Sequence, residues 1–382
     1  MKLDGAELVG AVEQSIQKVR TRSLDISFNE LVDMRDNSEL EITPDYQRLF
    51  RWSPAKQSRF IESLILELPT PPIFVIEEED GKYELIDGLQ RISSYLHFRG
   101  KLPAIADSDL QESTPSDGDS LTLEDCDIVD ALNGHTYETL PAALQIKLRR
   151  NFVRMEIIRK ESDARLRYYM FKRLNTGGEI LSEQEVRNCT IRLLDKTFNA
   201  FLIEMSGNQN FKQCIDNVSE DKLSQKYDQE LVLRFFAFKN YRFMYKHEVG
   251  DFLTEYMEAV SDPLRHEVKF DYPKERATFE KTFRALNASL GSRAFARSKG
   301  GSEELAENFL AYHYEAFSLG LQPVLDRIDT EDPQSLGKLK KSLLAVKTDE
   351  SFRQLTTGGG KNYRKPLDER IQFVSKQLEA DL

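Results

Sequence analysis

The stretch Asp87-Gly88-Leu89-Gln90-Arg91 holds side chains that can handle a nucleotide. The carboxylate of Asp87 is a hard oxygen ligand for Mg²⁺, and the guanidinium of Arg91 can fork onto a phosphate. Gly88 allows a close backbone approach, and the amide of Gln90 can orient a water molecule. A purely structural interpretation competes with this chemistry, because Asp87 can cap the following helix while Arg91 faces solvent.

A second polar cluster lies upstream, where Tyr46-Gln47-Arg48 is followed by Phe50 and Trp52. Aromatic rings stack on nucleic-acid bases and an arginine binds phosphate, so this cluster is a candidate nucleotide contact. The structural alternative is an irregular loop in which Trp52 belongs to the core.

Two glycine-rich loops have the composition of phosphate-binding loops. Asn175-Thr176-Gly177-Gly178 joins two predicted helices, and the loop over 356–365 contains three glycines before Lys361. Backbone amides in such loops can cradle an anion. Neither loop contains the G-x-x-x-x-G-K-[ST] pattern of a Walker A motif, and a Gly-Gly connector alone is ordinary. The four polar loops together favour a composite anion site.

The elements around Asp87 predict a turn from a strand into a helix. Residues 72–76 and 82–86 are β-branched and aromatic runs, and Asp80-Gly81 between them predicts a hairpin. A helix follows to Phe98 and ends at Gly100, in the usual place for a glycine cap. The free amides at the start of this helix form a ready site for an anion.

Further signals place other elements around this turn. Ser27 and Ser53 are in N-cap positions before helices, and Pro54 is a favourable first helical residue. The run 152–158 predicts a strand that returns to the first sheet. Ser182 opens another capping box with Glu185, and beyond residue 190 the apolar spacing predicts helices without a convincing strand.

Residues 106–130 form an acidic segment with nine Asp or Glu and no Lys or Arg. This composition is too polar and self-repelling to pack, so it predicts a solvated surface loop. The alternatives are an acidic mimic of nucleic acid or a metal site, but the carboxylates lack regular ligand spacing.

Composition excludes several classes of protein. The formal net charge of −11 argues against non-specific coating of nucleic acid, since that binding depends on Lys and Arg neutralising phosphates. Three unevenly spaced cysteines, without C-x-x-C, predict neither a disulfide framework nor a thiolate zinc site, and they fit a reducing cytoplasm. No apolar run approaches membrane-spanning length, and the N-terminus lacks a signal-peptide core, so we expect no membrane partner.

The successive motifs resemble those of one family. They are Tyr46-Gln47-Arg48 with Trp52, Pro71-Pro72-Ile73, Ile86 to Arg91, Leu174 to Gly178, Leu181, and Arg187-Asn188. In this order they resemble the domain-of-unknown-function family 262, the N-terminal half of the modification-dependent restriction enzyme GmrSD and of related phage-defence proteins. The resemblance covers about residues 25–190. It implies a ParB/sulfiredoxin-like fold in which a D-G-Q-Q-R motif binds and hydrolyses nucleoside triphosphates to license or release an effector.

Asp87, Gly88, Gln90 and Arg91 match that motif position by position, whereas Leu89 stands where the family usually has glutamine. The lost amide bears more on hydrolysis than on binding. Full-length members also carry an HNH-type nuclease with clustered histidines. The histidines of this chain are scattered and fit no such motif: His97, His135, His247, His266 and His313.

The sequence therefore predicts an α+β protein with an arm or helix over 1–23, a ParB-like nucleotide-binding domain over 24–190 and a helical domain over 191–382. We expect a cytoplasmic, Mg²⁺-dependent nucleoside triphosphatase that regulates a separate effector protein in phage defence, with DNA as a possible partner and an oligomer as a possible state. The catalytic candidates are Asp87, also the metal ligand, Gln90 and Arg91. The nucleotide-binding candidates are Tyr46, Gln47, Arg48, Gly88, Asn175, Thr176, Gly177, Gly178 and Lys361.

Two alternatives from other classes stay open. One is a DNA-binding or partner-binding adaptor, in which Arg48, Arg91 and Lys361 contact phosphates and nothing is turned over. The other is a ParB-like nuclease with Asp87 as its metal ligand.

Overall fold

The computed structural model describes residues 5–16, 18, 20–42, 52–78, 80–102, 120–163, 170, 182–191, 194–246, 248–262 and 268–382. The chain divides into two compact units, Met1–Gly177 and Gly178–Leu382. The domain boundaries predicted from the sequence stay a prediction.

The first unit is built on a mixed five-stranded sheet. Its described elements are α1 (Gly5–Ile16), β1 (Thr21–Ser27), α2 (Phe28–Asp36), β2 (Leu40–Glu41), α3 (Pro54–Ile65), β3 (Ile73–Glu77), β4 (Tyr83–Asp87), α4 (Leu89–Phe98), a 3₁₀ turn (Asp130–Leu132), α5 (Ala142–Arg150) and β5 (Phe152–Ile158). The strand order is β1-β5-β3-β4-β2. β5 pairs antiparallel with β1 and parallel with β3, which confirms the predicted return of this segment to the sheet.

The predicted helix starts are confirmed by side-chain caps. Ser27 Oγ accepts from the backbone N–H of Glu30 at 3.1 Å, and Ser53 Oγ accepts from that of Lys56 at 3.4 Å. β3 and β4 form the predicted antiparallel hairpin. The hairpin ends at Asp87, so β4 delivers this residue directly to the first turn of α4.

The core of the first unit lies between the sheet and helices α2, α3 and α4. Phe28, at the start of α2, contacts the ring of Phe60 on α3 at 6.3 Å and that of Tyr95 on α4 at 4.7 Å between centroids. Val75 of β3 and Leu85 of β4 are also buried. Burial of these side chains fixes α4, and therefore the turn that precedes it, against the sheet.

The described end of the acidic segment corrects the expectation that it is too polar to pack. Residues 120–130 include three side chains that are at most 3% exposed, those of Leu121, Leu123 and Cys126. The buried carboxylate of Glu62 on α3 accepts the backbone N–H groups of Asp127, Ile128 and Val129, at 3.3, 3.1 and 2.6 Å. Backbone amides therefore anchor this segment to α3, which its charge composition did not reveal.

The second unit is built from helices joined by turns and loops in its described residues. Its helices are α6 (Glu183–Ile191), α7 (Lys196–Ser206), α8 (Gln209–Cys214), α9 (Glu220–Ser224), α10 (Tyr227–Asn240), α11 (Val249–Ser261), α12 (Tyr272–Leu290), α13 (Ala311–Gly320), α14 (Pro333–Thr348), α15 (Glu350–Thr356) and α16 (Arg364–Asp381), with 3₁₀ turns at Arg242–Met244, Gly291–Arg293 and Gln322–Arg327. The sheet hydrogen bonding there, within the described ranges, is the isolated bridge between Ser298 and Leu305. The predicted α+β class with a helical C-terminal part is confirmed.

Aromatic rings fill the core of the second unit. Phe235 and Phe236 on α10 contact Phe279 on α12 at 5.4 and 5.6 Å between centroids, and Phe283 follows one turn later at 4.4 Å from Phe279. These contacts account for the dense phenylalanine spacing that predicted helices here. No helix among the described residues is long and apolar enough to cross a membrane.

A buried ion network joins four helices of the second unit. Arg187 on α6 contacts Glu230 at 2.9 Å, Glu230 contacts Arg234 on α10 at 3.0 Å, and Arg234 contacts Glu315 on α13 at 2.8 Å. Glu315 also binds Arg370 on α16 at 2.7 Å. Each carboxylate bridges two guanidiniums, so these charges are compensated away from water. Arg187, which carries part of the family resemblance, therefore has a structural role.

Candidate functional site

The strand-to-helix turn holds its polar residues in one short arc. Asp87 is the last residue of β4, Gly88 is the N-cap residue of α4, and Gln90 and Arg91 lie in the first turn of the helix. Gly88 has no side chain with which to cap the first amides. The positive end of the helix dipole is therefore left at Asp87 and Gly88, as expected for an anion site.

Gly88 is required by both its backbone and its surroundings. Its φ is +108°, and a Cβ built on it would lie 2.5 Å from Cγ2 of Ile73 on the neighbouring strand. Because β3 and β4 pair antiparallel, no other residue fits here without moving Ile73 or the helix. The sharp turn that exposes the helix start thus depends on this glycine.

The guanidinium of Arg91 binds three acceptors within the first unit. Its Nη2 donates to Oδ2 of Asp87 at 2.6 Å, and its Nη1 donates to the carbonyl oxygens of Pro71 and Pro72 at 2.5 and 2.8 Å. The Arg91 side chain is 12% exposed and that of Asp87 is 39% exposed. Arg91 therefore clamps the start of α4 to the segment before β3. The expectation that Arg91 is solvated under the structural interpretation is wrong.

Some hydrogen-bonding capacity remains at this ion pair. A guanidinium has five N–H donors, and the three bonds above leave Nε and one hydrogen of Nη2 without a described partner. Oδ1 of Asp87 accepts no hydrogen bond from a described residue. The pair can therefore still present N–H donors and one carboxylate oxygen to a ligand.

The side chain of Gln90 forms a hydrogen bond at the turn, whereas that of Leu89 packs in the core. Oε1 of Gln90 accepts from the backbone N–H of Trp52 at 3.1 Å, which joins the turn to the segment before α3. Leu89 is buried at 9% exposure, so this side chain packs in the core where the family usually has an amide. Of the two positions, Gln90 alone supplies an amide.

Trp52 has a second set of contacts that sequence reasoning missed. Gln57 Nε2 donates to the carbonyl of Trp52 at 2.8 Å, and its Oε1 lies 2.8 Å from Nδ1 of His97 on α4. Gln57 is 4% exposed and His97 is 7% exposed. The sequence signal was their polar character on otherwise apolar helix faces. The indole Nε1 of Trp52 is also buried, and no described residue accepts from it.

The described residues contain no cluster of metal-ligating side chains. No three His, Cys, Asp or Glu side chains among them group in a way that could hold a metal ion. A groove of about 940 Å³ lies beside Pro72 and is lined by Leu68, Thr70, Ile146, Arg150 and Phe152, among others. Asp87, Gln90 and Arg91 are not part of the described lining.

For several predicted site residues, the structure gives no position near the turn at Asp87. Tyr46, Gln47 and Arg48, and likewise Asn175, Thr176, Gly177 and Gly178, lie outside the described residues. Lys361 lies in the second unit, where its Nζ donates to the carbonyl of Thr357 at 2.7 Å and to that of Gln354. Lys361 thus binds carbonyls at the end of α15.

A family model matches the first part of the chain. Residues 28–192 match the family model described as the N-terminal domain of the GmrSD restriction endonuclease. The match covers less than half of the chain and confirms the resemblance drawn from the motifs. No curated protein and no solved structure matches the chain. The ParB/sulfiredoxin likeness therefore stays an implication of the resemblance, whereas a role in restriction or phage defence is supported by the match.

Proposed function

From the premise that residues 28–192 are similar to the N-terminal domain of the GmrSD restriction endonuclease, we propose that this protein binds a nucleoside triphosphate at the turn from Asp87 to Arg91. Binding, and hydrolysis where it occurs, regulates a separate effector in a restriction or phage-defence system. The cleaving activity belongs to the effector.

One observation carries the proposal: a charged pair sits at the start of a helix whose first amides have no side-chain cap. The start of the helix attracts phosphate, because its first amides have no side-chain cap. The remaining N–H donors of Arg91 add charge-assisted hydrogen bonds. The backbone N–H of Trp52 ties the segment before α3 to this turn through Gln90.

The turn fits Mg²⁺ only as part of a nucleotide complex. Mg²⁺ in such sites is commonly held by one or two carboxylates together with phosphates and waters. Asp87, with one oxygen outside its ion pair, would be the carboxylate that holds it. When bound, the ion supplies charge neutralisation at the phosphates. Arg91 fixes the position of Asp87, and Tyr46, Arg48 and the loop at 175–178 are the proposed further contacts.

Hydrolysis depends on placing a water molecule. Oε1 of Gln90 is engaged with Trp52, so Gln90 is held in one orientation. Fixed orientation of a polar group is what water positioning requires. Leu89 adds no second amide, so we propose firm binding with slow turnover.

The test measures thermal unfolding of the full chain with each nucleoside triphosphate and Mg²⁺, since a ligand of the native state must raise the melting temperature. The parent protein is expected to respond to at least one triphosphate, and Asp87→Asn to lose the Mg²⁺-dependent part. Asp25→Asn is the matched control, because it breaks a surface ion pair with Arg154, at 3.0 Å, in the same unit. No response of the parent to any triphosphate would refute the proposal.

A second experiment separates the regulator from a nuclease. Plasmid and modified phage DNA are incubated with the protein, Mg²⁺ or Mn²⁺ and each triphosphate. We expect no cleavage by the protein alone. Cleavage that disappears in Asp87→Ala would establish a nuclease instead. Cleavage that requires the product of a neighbouring gene would support regulation of an effector.

A further inference from the structure

A cavity of about 760 Å³ lies within the helical unit, between the loop after the 3₁₀ turn Gly291–Arg293 and the end of α15. We call it the Arg297 pocket. Its lining includes Arg297, Ser298, Lys299, Lys347, Arg353 and Gly358. This volume lies within the range of small-molecule sites.

The charge of the Arg297 pocket is opposite to that of the chain. Its described lining contains four Lys or Arg side chains and no Asp or Glu, in a protein of formal net charge −11. Lys299 pairs with Glu304 at 2.5 Å and Arg353 pairs with Glu350 at 2.9 Å, both at the exposed rim. Exposed pairs of this kind are weak and leave donors available. No described residue forms an ion pair with Arg297.

Ser298 gives a second, independent indication of a ligand. Its side chain is 7% exposed, and its Oγ is buried without a hydrogen-bond partner among the described residues. A buried hydroxyl without a partner destabilises the fold. Ser298 lines the pocket, but its Oγ is closed to solvent in this rotamer, so a ligand there would accept this hydrogen bond after rotation about χ1.

Two glycine turns border the Arg297 pocket. Gly300 and Gly301 have φ of +61° and +84°. They close a hairpin in which the backbone N–H of Lys299 donates to the backbone carbonyl oxygen of Glu304 at 2.7 Å. A Cβ at Gly301 would lie 2.8 Å from Nη1 of Arg353, so this turn approaches α15 closely. Gly358, which also lines the pocket, has a φ of +90°. Such turns expose backbone amides to an anion.

The lining of the pocket includes a fully buried lysine. Lys347 is fully buried, and its Nζ donates to the carbonyls of Ala294 and Ala296 at 2.8 Å each. Burial holds the pKa of Lys347 well below its ordinary value. A nearby anion would compensate a positive charge on this group.

We propose that the Arg297 pocket binds the phosphoryl group of a small molecule, with the guanidinium of Arg297, the hydroxyl of Ser298 and the amides of the glycine turns as its ligands. The pocket lies wholly within the second unit and is distinct from the turn at Asp87. It deepens no step of the function proposed above and stands independently of it.

The test titrates the full chain with inorganic pyrophosphate, without Mg²⁺ and in a buffer free of phosphate and sulfate, by calorimetry. The loss of a charge-assisted hydrogen bond predicts that Arg297→Gln weakens binding at least about tenfold. Ser298→Ala should also weaken it. Arg284→Gln is the matched control, since Arg284 is exposed, lies in the same unit, forms no described ion pair and does not line the pocket.

Any pyrophosphate bound at the turn is retained in Arg297→Gln, so only the binding that this variant loses is assigned to the pocket. Nucleoside triphosphates form a second arm of the titration. Binding that is tighter than that of pyrophosphate, and that Arg297→Gln removes, would identify a nucleotide as the source of the phosphoryl group. Equal binding would identify inorganic phosphates. No binding by the parent at millimolar pyrophosphate, or equal affinity in Arg297→Gln, would overturn the proposal.

Discussion

The backbone N–H of Trp52 donates a hydrogen bond to Oε1 of Gln90, across 38 positions of sequence. Trp52 and Gln90 belong to two separate motifs of the family resemblance. The bond shows that these motifs meet in space, and that the amide of Gln90 has a positioning role whatever its part in chemistry.

Gln90→Met should lower the free energy of unfolding by about 0.5–1.5 kcal/mol, because it keeps the length of the side chain and removes the acceptor for Trp52. Gln90→Glu retains an oxygen acceptor and is the control. Urea unfolding of both variants measures the difference. Equal losses in the two variants would mean that the bond to Trp52 contributes nothing.

Arg91→Ala should lose stability as well as triphosphate affinity, since it leaves Asp87 and two carbonyls without their donor. These acceptors are exposed or partly exposed, so water replaces part of the lost bonding, and we expect a loss of about 0.5–1.5 kcal/mol. Arg91→Lys keeps the charge, but a single ammonium cannot reproduce the fork that spans Asp87 and Pro71. We expect it to unfold at a urea concentration between those of the parent and the alanine variant. Unfolding of Arg91→Lys at the parental midpoint would contradict the clamp.

Gly88→Ala should destabilise the first unit more than Gly81→Ala does. Both glycines have positive φ, at +108° and +82°, so each substitution strains the backbone, by about 1–3 kcal/mol. Only at Gly88 does the added methyl meet Ile73, while nothing lies within 4 Å at Gly81. Thermal unfolding of the two variants separates the backbone cost from the steric cost. Equal shifts in melting temperature would show that Ile73 moves aside freely.

Leu89→Gln restores the usual family residue but places an amide at a position that is 9% exposed. We expect a loss of about 1–3 kcal/mol from burying an unpaired polar group, and no gain in triphosphate turnover. Leu89→Met is the volume-matched control. Phosphate release above the parental rate in Leu89→Gln would show instead that the missing amide limits hydrolysis.

His313 should make the second unit sensitive to acid. Its ring is buried and faces Lys347 and Arg370, so its pKa is held well below the ordinary value. Below about pH 6.5, His313 is protonated in the unfolded chain but stays neutral in the folded chain. The free energy of unfolding therefore decreases as the pH is lowered, by up to about 1.4 kcal/mol per pH unit. His313→Asn should flatten this slope in urea unfolding measured from pH 7.5 to 5. An unchanged slope would assign the acid sensitivity to other groups.

The sequence by itself determined the local features of the site. The hairpin ending at Asp87, the glycine at the sharp turn and the helix after it follow from short-range rules on turns, caps and apolar spacing, and the structure has each of them. The same rules predicted the caps at Ser27 and Ser53. Such features depend on neighbouring residues, whose distances are fixed by the covalent chain.

Only the tertiary structure decided which groups the polar side chains bind. Arg91 meets the carbonyls of Pro71 and Pro72, about 20 positions earlier, and the pocket around Arg297 draws cations from three separate segments. Nothing in the pattern of residues marks these partners. Packing of the apolar faces brings them together, because hydrophobic burial sets the positions of whole elements and the polar contacts form among whatever groups those elements place side by side.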